Sequence, residues 1–449
     1  MKLLKRLRGY QDTIVQWGSM MTHFGLQVDM RLGKNLICIR IIQLWYKLWG
    51  VIGPVLIVCP FSAFDGWEED IHGEAQMYRI HFLEGTAKRR LKILDDNFKQ
   101  NKLSFFIINK EGWRACPHIR ERNWFCVILD ESRFIAAQNK ASKFFLRNFR
   151  SVKHRIELSG TMDYKNKMDY YNQIAFLNPG YLPYKNFWDF RTKAFMAKGY
   201  DWIMRSKHHD ILTKCLSKHF YTLRRKEVKL GRKKTYLTRR IRLDKKTRKL
   251  YDTTEELFIL ENNGVFKSTI YATTKAIYLQ RMCGGFAGDD FIYDGKYNAL
   301  NDLLDNEFRG EQVVICCRYK QEINFLFEKF NQRGFRCAII NGDVKRKDRK
   351  NVKKLFMEKL TQLLFCEAGV IARGTDLKIA HTMIFYSQPN GKEVRDQVED
   401  RIITLDDEDE CIIMDIIVKD TVDEDTRIDT TAERFKKQIF ERAIKKWNK

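Results

Sequence analysis

Apolar residues in the first part of this chain fall into short runs at 55–59, 105–108, 127–129 and 156–158, the last interrupted by Glu157, each closed by polar or small residues. Runs that are apolar at successive positions suit strands covered on both faces, as in a parallel sheet. Between them the spacing changes: Cys38, Ile41, Ile42, Trp45 and Leu48 recur three or four apart and form one stripe of a helix. Strand and helix therefore alternate, which predicts an α/β class. The alternation lapses from about 163 to 285, where basic, aromatic, helix-favouring sequence takes over. It returns after Lys296 with runs at 313–317, 337–340, 363–366, 382–386 and 411–417. Phe435, Ile439, Ala443 and Trp447 then stand four apart, the stripe of a closing helix. The expected organisation is an α/β lobe over 1–165, a helical section over 166–285, a second α/β lobe over 286–426 and a bracing helix over 427–449.

With 44% apolar and 13% aromatic residues among 449, the chain can bury more than one core, which excludes disorder as the main state. The formal charge of +25 points to a polyanionic partner. That charge is concentrated: residues 205–250 hold 18 Lys or Arg against three acids, a net +15 in one stretch. Within it RRKEVKLGRKK (224–234) and RRIRL (239–243) nominate Arg224, Arg225, Lys233 and Lys234 as contacts to nucleic-acid phosphates, with a solvated helical face as the alternative. Tyr221, Tyr236 and Tyr251 are expected to pack rather than stack on bases, and His208 and His209 carry no assigned chemistry. The 11 cysteines include no C-x-x-C pair, so structural zinc is not expected and a reducing compartment is. Arg40, Lys47, Gly50, Gly53 and Pro54 interrupt the apolar stretch 36–59, which argues against a membrane span. The basic start MKLLKRLRGY has no apolar core behind it, so no secretory leader is expected and the site of action is taken as intracellular, in the cytoplasm.

Three segments carry candidate chemistry. VDMRLGKN (28–35) lies between a short apolar run and the first helix; a loop there aims backbone N–H groups and Lys34 at the phosphates of a nucleotide. The first Gly of the usual phosphate-loop pattern is missing, and chance Gly-Lys pairs are common. VILDESR (127–133) is a strand ending on two carboxylates: Asp130 suits Mg²⁺ and Glu131 suits a water, although acidic turns after strands are common too. IELSGT (156–161) brings small hydroxyl residues to the carboxyl edge of the sheet, where ligands collect.

In order and spacing these segments resemble the helicase motifs of superfamily 2, in the Swi/Snf-type branch of double-stranded DNA translocases. LRGYQ (7–11) resembles the adenine-sensing Q motif, LIVCPFSAFDGW (56–67) the segment where the first lobe touches the DNA backbone, and FFIINKEGW (105–113) the next strand with its DNA-facing loop. DESR and LSGT stand where the branch has its DEAH-type box and its coupling motif. LQRMCGGF (279–286), VVICCRYKQEI (313–323), the glycine-centred turn within 368–389 and QVEDRI (397–402) resemble the segments of the second lobe. The resemblance implies two RecA-like lobes with ATP and Mg²⁺ between them and duplex DNA as partner, which this branch usually tracks without strand separation, with unwinding or annealing left open by the sequence. It further implies Gln11 at the adenine, and Arg31, Gly33, Lys34, Asn35, Gly374 and Asp376 around the nucleotide. Asn35 and Asp130 fall at the metal, Glu131 at the water, and Gln397 with Arg401 at the γ-phosphate. Ser159, Gly160 and Thr161 are the coupling residues, and Pro60, Ser62, Asn109 and Arg318 fall at DNA.

Two positions depart from the branch. Asn35 replaces the Thr or Ser whose hydroxyl binds Mg²⁺, and Thr404 stands where a second Arg of the last motif faces the γ-phosphate, followed by the acidic run 406–410. An arginine finger is worth factors of about 10³ to 10⁵ in rate, so these departures leave open an attenuated motor, or a helicase-fold scaffold that binds nucleic acid without hydrolysis. Arg401 and Arg395 are the candidates to replace the finger. The chain starts at the Q motif and ends soon after the last one, a compact form similar to versions encoded by bacteriophages.

Overall fold

The computed structural model describes residues 6–50, 52–74, 78–160, 167–198, 201–228, 231–260, 269–372, 376–389, 391–404 and 407–424. The chain divides into two units, Met1–Leu230 and Gly231–Lys449, each built on its own sheet.

The first unit contains β1 (His23–Val28), β2 (Val55–Cys59), β3 (Arg79–Phe82), β4 (Ser104–Asn109), β5 (Cys126–Asp130) and β6 (His154–Ser159). After these come a short antiparallel hairpin, β7 (Phe195–Lys198) with β8 (Asp201–Met204), and finally β9 (Phe220–Leu223). Seven of the strands form one parallel sheet in the order β3-β4-β2-β5-β6-β1-β9. Every residue of β2 and β5 is buried, the state that apolar runs predict for central strands, and β6 is buried throughout as well, although His154, Arg155 and Glu157 interrupt it. The helix Lys34–Trp49 buries Cys38, Ile41, Ile42 and Trp45 against this sheet, and the Trp45 indole N–H donates to the Ser19 carbonyl at 3.0 Å. Leu48, expected in the same stripe, is instead exposed.

The second unit contains β10 (Lys233–Ile241), a two-residue pair β11 (Phe286–Ala287) and β12 (Asp290–Phe291), then β13 (Val313–Cys317), β14 (Cys337–Ile340), β15 (Leu363–Glu367), β16 (Thr382–Phe385) and β17 (Glu410–Val418). Its parallel sheet runs β10-β17-β16-β13-β15-β14. A buried ion pair, Lys296 Nζ to Asp423 at 2.7 Å, fixes the helix Gly295–Asp302 beneath it.

The section 166–285 does contain helices, among them Tyr170–Leu177, Ser206–His219 and Lys245–Leu260. It also supplies β9 to the first sheet and β10 to the second. Both are edge strands, and an edge strand is half wet, so β10 carries the basic pairs Lys233–Lys234 and Arg239–Arg240 where a central strand has an apolar run. The bracing helix expected at 427–449 lies outside the described residues. Among the described residues no helix is long and apolar enough to cross a membrane, and no group of three or more His, Cys, Asp or Glu could hold a metal ion.

Candidate active site

Sheet order places the site. Strands β5, β6 and β1 are adjacent and parallel, so Asp130, the Ser159–Gly160 turn and the loop 29–33 emerge side by side at one carboxyl edge. Gly33 adopts φ 82° and opens the helix Lys34–Trp49, leaving the first N–H groups of that helix directed at the loop. Lys34 folds over it and donates to the Val28 carbonyl at 2.8 Å. A Cβ at Gly160 would stand 3.3 Å from Lys34 Nζ and 3.2 Å from Met30 Cγ, so the glycine keeps the space beside the ammonium open.

The loop is held by its neighbours. Gln11, buried, donates from Nε2 to the Leu32 carbonyl at 3.2 Å and accepts from the Arg8 backbone N–H at 2.9 Å; Tyr10 adds a bond to the Leu32 carbonyl at 3.3 Å. Gln11 thus braces the loop 29–33, a task its sequence motif does not announce. Arg31 sits in the same loop at φ 68°, a left-handed conformation that a residue with a Cβ seldom adopts. Arg224 and Arg225 also reach this loop. Arg224 Nη1 lies 3.2 Å from Asp29 Oδ1, the Arg225 N–H donates to Asp29 Oδ2 at 2.8 Å, and Arg225 Nη2 donates to the Met30 carbonyl at 2.9 Å.

Asp130 closes β5 and is 6% exposed. Burial raises its carboxyl pKa, opposed by a hydrogen bond from the Trp67 indole N–H at 3.0 Å and by the charge on Lys34. Trp67 is fully buried and was not among the residues nominated for chemistry; a partner 63 positions away has no signature in sequence. Glu131 follows at φ 51°, a second left-handed non-glycine residue, at the point where a water-activating carboxylate is expected. Ser132, buried, anchors the turn by donating to Gln173 Oε1 at 2.9 Å. Asn35 stands on the first turn of the helix, its amide 3.9 Å from where a Cβ at Gly66 would lie. Ser159 is buried beside Gly160; Thr161 lies outside the described residues.

Farther along the same edge, Asn109 ends β4 and Pro60 with Ser62 follows β2. Asn109 donates to Glu111 Oε2 at 3.2 Å and accepts from Arg90 Nη1 at 3.4 Å. Just beyond it lies a cavity of about 310 Å³ lined by three cations, Lys110, Arg114 and Lys140, and one acid, Glu111, together with Trp113 and Phe134.

In the second unit, Arg318 caps β13; its N–H donates to Ser387 Oγ at 2.7 Å and its guanidinium reaches the Gln280 side chain. The helix Lys392–Glu399 carries Gln397, half-buried, and Arg395. Arg395 is committed within the fold: 2.7 Å to Asp415 Oδ1, 2.8 Å to Glu399 Oε1, and over the Phe385 ring at 4.1 Å. Arg401 is buried, its guanidinium donating to the Ala372 carbonyl. Asp376 accepts from the Lys378 N–H at 3.4 Å, and Gly374 lies outside the described residues. Lys234 pairs with Glu399 and Asp400, both at 3.0 Å, while Lys233 is exposed. Tyr236 joins the same cluster by donating to Glu399 at 2.9 Å.

Residues 10–283 match the SNF2-related domain, and residues 295–404 match the helicase conserved C-terminal domain. The chain belongs to the SNF2-related family. It is 22% identical over 431 residues to the ISWI chromatin-remodeling complex ATPase CHR17 of Arabidopsis thaliana, which covers 88% of this chain and 38% of that protein. It is 25% identical over 190 residues to Chromodomain-helicase-DNA-binding protein 8 of Homo sapiens, covering 38% of this chain and 7% of that protein. The chain therefore spans well under half the length of these relatives. Among solved structures, the Sulfolobus solfataricus SWI2/SNF2 ATPase core in complex with dsDNA aligns over 98% of this chain and 94% of that one, at 20% identity and a TM-score of 0.46.

As an SNF2-related chain it has two RecA-like lobes, one on each parallel sheet. Within the second lobe neither candidate to replace the finger is idle: Arg395 is tied to two buried carboxylates, and the buried Arg401 donates to the Ala372 carbonyl. Thr404, where the family's arginine would stand, is 8% exposed, with its carbonyl accepting from the Arg232 N–H at 3.1 Å. Arg232 in turn forks onto Asp407 at 2.7 and 2.9 Å, so the acidic run after Thr404 has a structural partner.

Proposed function

We propose that this chain is an ATPase that tracks duplex DNA. The observation that carries the reading is the convergence of Lys34, Asp130 and Gly160 at the carboxyl ends of three neighbouring parallel strands. A nucleotide's phosphates fit this place. The helix N-terminus supplies N–H donors, Lys34 supplies charge, and Gly160 leaves room that a Cβ would fill. Asp130 and Asn35 would hold Mg²⁺, which would neutralise part of the phosphate charge during the reaction. Glu131 takes the proton of the attacking water as its oxygen bonds to the γ-phosphorus and the bridging oxygen leaves with ADP. Gln11 keeps the loop in register through Leu32, and its place in the family's Q motif supports an adenine contact in addition.

For the partner, the net charge of +25 and the basic, aromatic cavity beyond Asn109 support a nucleic-acid backbone. Hydrolysis measured with no DNA, single-stranded DNA and duplex DNA tests the reading. Duplex is expected to stimulate most, and a rate unchanged by any DNA contradicts it. A second reading, a DNA-binding scaffold that does not hydrolyse ATP, is favoured by the engagement of Arg395 and by Thr404. The same assay separates the two, since the scaffold binds duplex and gives no turnover.

A further inference from the structure

The pair Arg224–Arg225 opens the most basic stretch of the chain, yet its side chains turn to a carboxylate and a carbonyl of the loop 29–33. We propose that Arg224 and Arg225 are positioning residues for the nucleotide, latching the phosphate loop to the end of β9. The proposal rests on the nucleotide reading of that loop.

The latch is continuous with the sheet. Strand β9 pairs with β1 up to Val28 and Leu223, and the next bond, Asp29 N–H to the Leu223 carbonyl at 3.0 Å, extends the ladder into the loop itself. Asp29 then receives Arg224 Nη1 and the Arg225 N–H, one on each carboxylate oxygen. Arg225 Nη2 takes the Met30 carbonyl. From the other side Gln11 and Tyr10 take the Leu32 carbonyl. The one residue between the two held carbonyls is Arg31, at φ 68°. A side chain at such a dihedral is disfavoured where glycine is not, so the conformation persists only while its surroundings enforce it. Two carbonyls pinned on either side provide that enforcement. Charge-assisted bonds to Asp29 are the stronger kind, and at about one quarter exposure they are partly shielded from water. A loop preset in this way binds phosphate without first being ordered, which is where the latch acts on affinity.

The competing use of these arginines is direct contact with DNA phosphates, and the two uses give different signatures. The full chain is titrated with a fluorescent ATP analogue and Mg²⁺, and in parallel with a duplex at several salt concentrations. Arg225→Ala is expected to weaken analogue binding about tenfold, the loss of one charge-assisted hydrogen bond, while the salt slope of duplex binding stays as in the wild type. Asp29→Ala should weaken it similarly, and adding Arg224→Ala to Asp29→Ala should add little, because the two groups act as a pair. Strain at position 31 is read by comparing Arg31→Gly with Arg31→Ala, both of which lack the guanidinium. Glycine should bind the analogue more tightly than alanine, and by a wider margin when Arg225 is also alanine. Analogue affinity within twofold of wild type for Arg225→Ala overturns the latch. So does a duplex salt slope reduced by roughly 0.9, the signature of one lost phosphate contact. A wild-type chain that binds no analogue overturns the nucleotide reading itself, and the latch with it.

Discussion

The Trp67 indole N–H donates to Asp130 Oδ2 at 3.0 Å, with the tryptophan fully buried and the carboxylate nearly so. This bond fixes the orientation of the acid expected to hold the metal and offsets part of what its burial costs. Trp67→Phe keeps the ring and removes only the donor. Duplex-stimulated turnover should fall about tenfold, as for a hydrogen bond to a charged group, with the thermal midpoint little changed. Unchanged turnover would show that Asp130 is oriented by other neighbours.

Glu157 lies in the centre of β6, 1% exposed, and among the described residues neither carboxylate oxygen finds a hydrogen-bond partner. Burial holds its pKa well above the usual carboxylate range, so the folded chain keeps a proton that the unfolded chain releases above about pH 4.3. Stability attributable to this group is therefore lost as pH rises from there toward the folded pKa. Glu157→Gln removes the titration, so the midpoint of the variant minus that of the wild type should grow between pH 5 and pH 8. A difference that stays constant over that range contradicts the assignment.

Restoring the family's arginine by Thr404→Arg looks from sequence like a gain of catalytic charge. The buried position beside Arg232 makes it an overpacked site with a second cation. The substitution should destabilise the chain by roughly 1–3 kcal/mol in a denaturant melt and leave turnover no higher. A faster, stably folded variant would show that this segment can turn its side chain outward.

Much of this was legible in the chain. The central strands announced themselves because burial on both faces demands unbroken apolar runs: 55–59 is β2 and 313–317 is β13, residue for residue, and the apolar run 337–340 matches β14 as well, although that strand lies at an edge and is only partly buried. Strands β3, β9 and β10 were not announced, because all three lie at edges or within basic sequence where hydrophobicity carries no period. For the site, Lys34, Asp130 and Gly160 were readable from strand-then-turn signals and the structure brings them together. What sequence could not show is where charged side chains spend their charge. Arg224, Arg225, Lys234 and Arg395 read as cations offered to a partner, yet Arg224, Lys234 and Arg395 are each paired with an acid distant in the chain or on the same helix, and the Arg225 guanidinium is spent on the Met30 carbonyl. Charge composition reports an excess of cations but not their partners, so Lys233, exposed, is the member of the proposed grip that remains presented to solvent.

Glu131 carries the central claim, since in the proposed mechanism it acts in cleaving ATP and not in binding it. The direct measurement is steady-state ATP hydrolysis by the full chain with duplex DNA and Mg²⁺, wild type beside Glu131→Gln, with binding of a fluorescent ATP analogue measured on both. The account predicts duplex-stimulated turnover in the wild type, its loss in Glu131→Gln, and analogue affinity within a few-fold of wild type. Turnover that survives Glu131→Gln, or a wild type that binds ATP and duplex yet hydrolyses nothing, contradicts it.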